Sequence, residues 1–551
     1  MSASSKKKLR KEQNAAQLTE KQLKEQKEAK KLKTNTTIFT IAIIVVLCAA
    51  IATFAITAYN NSGIKERSTD AITIGNHTLS SAELNYFYMD AVNEYYTQFT
   101  NTYGEYASTY MQLMGLDVTK PLNEQAYLGG EEGTTFADYF VETAINNASS
   151  IYAIYDLAMA AGHTLTEEEQ ANQEASLSAM ELYATMYGYP NVSGYLTAVY
   201  GNGATVESFN NYMEKLTLAE SYQNAYYNSL TYSDSDISAY NDEHFVEFSS
   251  FDYSTYTLYG RDFIECTDTE NKEHTHTAEE NAAGEAAAKA AAESIVASGV
   301  NTPDALNKAL AALEPYAEKE SVSCIENDGI LYSSVTNQDI AAWLADESRT
   351  AGDITMIPYT STSTDENGKE TTNTLGYYVV LFEGRDDNLV NLVNVRHILA
   401  QFENADTNGE YSPESKKEAL DKITSVQEKW LAEGGTEDAF IALVSDNSDD
   451  GGSSANGGLY EDVYPGQMVE AFNDWCFDAS RKTGDYEIVE TEYGYHLIYF
   501  VSTSDVSFRN YMIENTLRNE AFDAWLIESI ENVTATVHDT SLLALDMVLG
   551  H

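Results

Sequence analysis

Four short stretches between residues 393 and 502 bring together side chains suited to polar chemistry beside an apolar seat. His397 lies in Val395-Arg396-His397-Ile398-Leu399, and an acidic, glycine-rich stretch follows at Ser448-Asp449-Asp450-Gly451-Gly452-Ser453, with Gly457-Gly458 after it. Then come Gly466-Gln467-Met468-Val469-Glu470-Ala471-Phe472 and Thr491-Glu492-Tyr493-Gly494-Tyr495-His496. Histidine is the side chain that changes charge near neutral pH. Met468 and Phe472 stand four apart, so on a helix they share one face and offer a soft apolar surface. Taken singly each feature is weak, because a strand histidine is commonly structural and a Met/Phe pair is commonly core. The four cysteines, Cys48, Cys266, Cys324 and Cys476, have no metal-ligand spacing and are too sparse for a disulfide framework. A Cys266–Cys324 bridge and two separate small hydrophobes are both open readings.

Taken together, the order and spacing of the four stretches resemble the parvulin family of peptidyl-prolyl isomerases over about 110 residues, 393–502. The resemblance implies an α+β domain that rotates X–Pro bonds against a barrier of about 18–20 kcal/mol set by amide resonance. No bond breaks, so no nucleophile, metal or cofactor is required. A catalyst holds the proline ring, strips water from the amide and favours its twisted form. The resemblance assigns His397, Asp450 and His496 to the catalytic centre. His397 and His496 fall on neighbouring central strands, where they hydrogen-bond and fix each other's tautomer. It places Met468 and Phe472 under the proline ring and makes Thr491 a hydroxyl that supports the histidines. Asp446 and Asp449 compete with Asp450 in register. The family continues its Gly-Gly with Asp-Leu-Gly. Here Leu459-Tyr460-Glu461 follows, so Tyr460 replaces an apolar wall and bears on selectivity.

The elements that position these residues occur twice. Asp339-Ile-Ala-Ala-Trp343 through Arg349, Gly352 and Asp353 matches Ala471-Phe-Asn-Asp-Trp475 through Arg481, Gly484 and Asp485, and Leu375-Gly376-Tyr377-Tyr378 matches Tyr493-Gly494-Tyr495-His496. Apolar strands at 248–258 and 392–402 and long helices at 278–298 and 413–431 precede the two copies. Tandem domains of one α+β fold are the economical reading. The first copy has Tyr378 in place of His496, Thr255 near the place of His397 and no Gly-Gln-Met-x-x-x-Phe stretch, so it reads as inactive. His274 and His276, beside Glu273, Glu279 and Glu280, read as a solvated insertion in preference to a metal site.

Upstream, a strand is expected at 71–74, ended by Gly75-Asn76, and a helix begins at Ser80 and Ser81 with Leu84, Tyr88, Val92, Tyr95 and Phe99 on one face. Helices follow near 136–161, 165–187, 205–231 and 233–243; a last helix covers 507–530, with a strand at 533–537. The 39 tyrosines suit promiscuous contact, since the ring is apolar and its tip polar.

Charge divides the chain sharply. The formal net is -54, yet residues 1–37 hold 11 Lys/Arg against 4 Glu, leaving -61 on the rest. This excludes nucleic acid as a partner, since phosphate binding needs clustered Lys and Arg. Residues 38–59 form an uncharged apolar run of 22, long enough as a helix to cross a bilayer core. The basic flank stays inside. The expected plan is therefore a cytoplasmic tail (1–37), a signal anchor (38–59), a helical chaperone-like domain (71–245), a degenerate parvulin-like domain (246–387), a parvulin domain (390–504), and a C-terminal helix and strand (505–551) that complete the helical domain. That organisation looks like the SurA/PrsA class of extracytoplasmic foldases, whose helical part cradles unfolded clients. The expected function is isomerisation of X–Pro bonds in newly exported polypeptides, at the outer face of the cell membrane. The alternatives are a non-catalytic holdase or a scaffold for secretion or cell-wall machinery.

Overall fold

The structure is a computed structural model that describes Lys7, Thr53, Thr57 and residues 59–264, 276–317, 319, 321–364, 369–406 and 409–549. The span expected at 38–59 and the tail before it lie outside these residues apart from the three isolated ones and Tyr59; so do Cys48, Cys266 and His274. Among the described residues no helix is long and apolar enough to cross a membrane. His276 sits 3.9 Å from Glu280, and Cys324 and Cys476 are buried free thiols.

The chain divides into two compact units. One comprises the described residues up to Leu230 and those from Ala521 on. In it, β1 (Asp70–Ile74) turns through Gly75 into β2 (His77–Ser80), so the turn expected to end a lone strand makes a hairpin. Ser80 then starts the helix Ser81–Tyr103 through a capping box: its hydroxyl accepts from Glu83 N while Glu83 accepts from Ser80 N. Leu84, Tyr88 and Val92 are buried, with Tyr95 and Phe99 packed at the edge of the same core. Helices Phe136–Ala161, Glu167–Met186 and Val206–Ser229 fall where periodicity places them. Two short helices, Ala107–Leu113 and Val192–Tyr200, are too brief for periodicity to reveal. The strand Ala535–Val537 pairs antiparallel with β1.

The second unit runs from Thr231 to Glu520 and holds two four-stranded antiparallel sheets. The first contains β3 (Ser250–Tyr259), β4 (Ile325–Leu331), β5 (Ile354–Thr364) and β6 (Glu370–Asp386), ordered β4-β3-β6-β5. The second contains β7 (Asn391–Gln401), β8 (Leu459–Val463), β9 (Tyr486–Glu490) and β10 (Gly494–Ser507), ordered β8-β7-β10-β9. Chain order is the same in both: strand, two helices, strand, short helix, two strands. Mixed helical and antiparallel layers of this kind are α+β architecture.

The repeated residues share physical jobs. Arg349 and Arg481 each donate through Nε to the carbonyl of Trp343 or Trp475, at 3.0 and 2.9 Å, and lie over its ring at 4.3 and 4.2 Å. Gly352 and Gly484 turn the chain at φ +96° and +92°, and their N–H groups reach Phe382 O and Phe500 O. Gly376 and Gly494 face a neighbouring strand so closely that a Cβ would lie 2.2 Å from Leu258 O or Ala400 O. His397 opposes Ile498 as Thr255 opposes Val380, and His496 opposes Leu399 as Tyr378 opposes Thr257. Thr255 and Tyr378 therefore occupy the strand positions of His397 and His496.

Candidate active site

His397 on β7 and His496 on β10 project from adjacent central strands onto the face that carries Phe472, Trp475 and Ile498. Both rings are almost sealed, 3% and 6% exposed. Their Nδ1 atoms lie 3.0 Å apart. Beyond His397, Nε2 is 2.8 Å from Asp450 Oδ2 and 3.1 Å from Ser453 Oγ; beyond His496, Nε2 is 2.8 Å from Thr491 Oγ1.

Asp450 anchors one end of this chain. Its Oδ2 accepts from Ser453 Oγ and from Tyr460 OH at 3.1 Å, and its Oδ1 accepts from Gly452 N at 3.1 Å. The bond with His397 foremost, then those from Ser453 and Gly452, hold its carboxyl far below the usual range, outweighing the opposing effect of burial. It is a carboxylate and accepts only. His397 must then donate from Nε2, and its Nδ1 shares one hydrogen bond with His496 Nδ1. His496 Nε2 shares another with Thr491 Oγ1, which accepts from Tyr493 N and lies 3.4 Å from Gly494 O. Burial first, and His397 beside it second, push His496 down to about 3, so its ring stays neutral. The centre is thus a continuous hydrogen-bonded row ending on one carboxylate.

Local sequence explains the placement. Gly457 and Gly458 adopt φ +71° and +74°, and a Cβ on Gly458 would lie 2.4 Å from His397 O. Only glycine lets the loop lie against β7 while His397 N donates to Gly458 O at 2.9 Å. Arg396 pins that loop through the carbonyls of Asn456 and Gly457, and its Nε meets Glu437 at 2.8 Å. Asp449, the register competitor, takes a different part: it accepts from Gln401 N and pairs with Lys422 at the surface. Asp446 is absent from the residues lining the cleft, and Asp450 faces it.

Above the histidines opens a cleft of about 470 Å³ lined by His397, Asp450, Tyr460, Met468, Phe472 and His496, together with Leu399, Gln401, Asp449, Gln467, Val469 and Tyr493. Phe472 is buried and stands edge-on to both imidazoles, with centroids 5.6 and 5.4 Å away and planes at 81° and 88°. One expectation needs correction. The helix here is Glu470–Phe477 with Val469 as its cap, so Met468 precedes it and does not share a helix face with Phe472. The preceding turn, tied by Gln467 N to Tyr464 O, carries Met468 to the cleft instead. Thr491 is buried at the end of β9 and reaches His496 without lining the cleft.

Sequence reasoning left out Ser453, although it ends a quoted motif. Its buried hydroxyl touches both Asp450 and His397, and its position three residues after an aspartate in a Gly-Gly turn was the available signal. Tyr493 was likewise unassigned and lies at the cleft mouth.

The sequence model of the PPIC-type PPIase domain family matches residues 377–503. The chain is 28% identical over 173 residues to chaperone SurA of Methylococcus capsulatus, covering 31% of this chain and 35% of that protein. It is 29% identical over 111 residues to foldase protein PrsA 1 of Listeria monocytogenes, covering 19% of this chain and 38% of that one. It therefore spans little more than a third of these relatives' lengths. Among solved structures, PrsA from Bacillus subtilis aligns over 75% of this chain and 93% of its own at 12% identity and a TM-score of 0.29. The PPIase domain of TbPar42 aligns over 20% of this chain and 99% of its own at 27% identity and a TM-score of 0.16. Over residues 377–503, this chain carries a PPIC-type, that is parvulin-type, peptidyl-prolyl isomerase domain, in a chain similar to SurA and PrsA over part of its length.

Proposed function

We propose that this protein catalyses cis/trans exchange of X–Pro bonds in unfolded polypeptides, acting as a foldase anchored at the outer face of a membrane. The observation that carries the catalytic part is the hydrogen-bonded row Thr491–His496–His397–Asp450 at a cleft that Met468 and Phe472 line. The planar amide is stabilised by resonance that water supports through hydrogen bonds to its oxygen. A site that replaces water with Phe472, Met468 and two buried imidazoles favours the twisted amide, whose nitrogen has lost conjugation. Asp450 beside the cleft adds a fixed negative charge that disfavours the dipolar, planar form. Uncatalysed exchange takes tens to hundreds of seconds, so even modest acceleration matters to folding.

The location rests on the basic tail followed by 22 uncharged apolar residues, and the clients on the resemblance to foldases of exported chains. The helical unit supplies exposed tyrosines and methionines, such as Tyr183, Met186 and Tyr187, as a holding surface. The first sheet, with Tyr378 and Thr255 at the histidine positions, serves as a non-catalytic spacer or client surface.

The test is line-shape or exchange NMR on an Ala-Pro peptide with the purified full chain and its His496→Ala and Phe472→Ala variants. Acceleration lost in both variants supports catalysis at this site. A folded wild-type chain that accelerates no X–Pro peptide overturns it and leaves a holdase. Protease added to intact cells tests location: digestion of the bulk of the chain supports the outer face, and full protection overturns it.

A further inference from the structure

The cleft has a mouth that the catalytic row does not use. It lies at the end of β7, where two backbone bonds fix what flanks it: Gln401 N donates to Asp449 Oδ2 at 3.0 Å, and Phe402 N donates to Tyr493 O at 3.0 Å. Tyr493 N in turn donates to Thr491 Oγ1 at 3.2 Å. Its backbone is thus held at both polar groups while its ring stays 51% exposed over the cleft. A large exposed ring on a hydrogen-bonded turn beside the catalytic row is open to a ligand in the cleft.

Charge says which ligand. The cleft lining contains two carboxylates, Asp449 and Asp450, and no Lys or Arg. Lys422 pairs with Asp449 through side chains that are both well exposed, and pairs of that kind are weak and exchangeable. Residues 391–507 hold 23 acidic against 7 basic residues, so the wider field has the same sign. An aromatic face beside a carboxylate is an acceptor for a guanidinium or ammonium group.

We propose that Tyr493 and Asp449 form a cation-accepting subsite at the cleft mouth that selects X–Pro segments with Arg or Lys next to the proline and disfavours acidic ones. The subsite deepens the isomerase reading and rests on it for the position of the proline. An incoming Arg stacks on the Tyr493 ring and replaces Lys422 on Asp449, whereas a Glu there meets only like charge.

The test uses the full chain and peptides of one length carrying Arg-Pro, Ala-Pro or Glu-Pro, with exchange rate and binding by NMR titration read separately. A cation–π contact and an exposed ion pair together predict about three- to thirtyfold preference for Arg over Glu in both readouts at low salt. The preference narrows as salt rises. Tyr493→Ala and Asp449→Asn should each shrink the Arg/Glu ratio about threefold or more, and Tyr493→Phe should keep it. The ratio is internal to each variant, so partial loss of overall rate does not obscure it. Equal binding of Arg-Pro and Glu-Pro peptides, or ratios that both variants leave unchanged, overturns the subsite. An Arg preference in binding without acceleration of any peptide supports the subsite and sinks the isomerase reading instead.

Discussion

Thr491→Val removes one hydroxyl from a buried position at almost constant volume, and so isolates the far end of the catalytic row. In the native protein Thr491 Oγ1 lies 2.8 Å from His496 Nε2 and accepts from Tyr493 N at 3.2 Å. Valine leaves His496 Nε2 buried without its partner, which costs about 1–3 kcal/mol, and takes the acceptor from Tyr493 N. We expect opening of β9 and β10 to become easier by about 2 kcal/mol, read as hydrogen exchange of their amides. The row is then held from the Asp450 end alone, and the His496 ring is less well ordered. A loss of about 1.4 kcal/mol in ordering corresponds to a tenfold lower exchange rate on an Ala-Pro peptide. Thr491→Ser keeps the hydroxyl and should recover most of that rate. The ¹⁵N spectrum gives an independent readout: the His496 Nε2 resonance should move in the valine variant and return in the serine variant. If Thr491→Val matches the native protein in rate and in its Nε2 resonance, the hydrogen-bonded row plays no part in catalysis.

Three further outcomes follow from the same geometry. His496 is held down to about 3 in the folded chain against 6.5 as an ordinary histidine. Unfolding therefore takes up a proton between these values, so His496 costs the folded state nothing above about pH 6.5 and lowers its stability as pH falls towards 3, by at most about 5 kcal/mol; His496→Gln should flatten the fall in hydrogen-exchange protection of β10 between about pH 4 and 6. Ser453→Ala removes a buried donor to Asp450 and should lower the exchange rate about three- to tenfold while the fold persists by circular dichroism. Gly494→Ala drives a Cβ to 2.2 Å from Ala400 O and should cost about 3 kcal/mol or more, seen as loss of protection in β7 and β10; protection like the native protein's would show that the strands have room to part.

Much of this was legible in the residues because it rests on short-range rules. Ser80 with Glu83 is a capping box visible as spelling, and the helix it starts has the expected apolar face. The repeat was legible because Trp, Arg, Gly and Asp each do a job that few residues can do: a ring under a guanidinium, a positive φ, a carboxylate capping a turn. What failed was local in another sense. Met468 and Phe472 fit a helical spacing, but the helix begins only at Glu470, and the turn before it delivers Met468 by a different route. The helices Ala107–Leu113 and Val192–Tyr200 span two turns or so, too short for a period to register.

The sequence by itself singled out His397, Asp450, Tyr460, Met468, Phe472 and His496, which line one cleft, since their types and order are legible without reference to distance. It also determined that a first copy of the sheet lacks the histidines, because Tyr378 and Thr255 are plain in the text. Tertiary structure alone decided which of Asp446, Asp449 and Asp450 meets His397, that Ser453 joins it, and that the two imidazoles meet through Nδ1. Those depend on a loop pressed against β7 at Gly458 and on a register one residue wide. A shift of one position along a strand reverses the face of every side chain, and composition carries no trace of it.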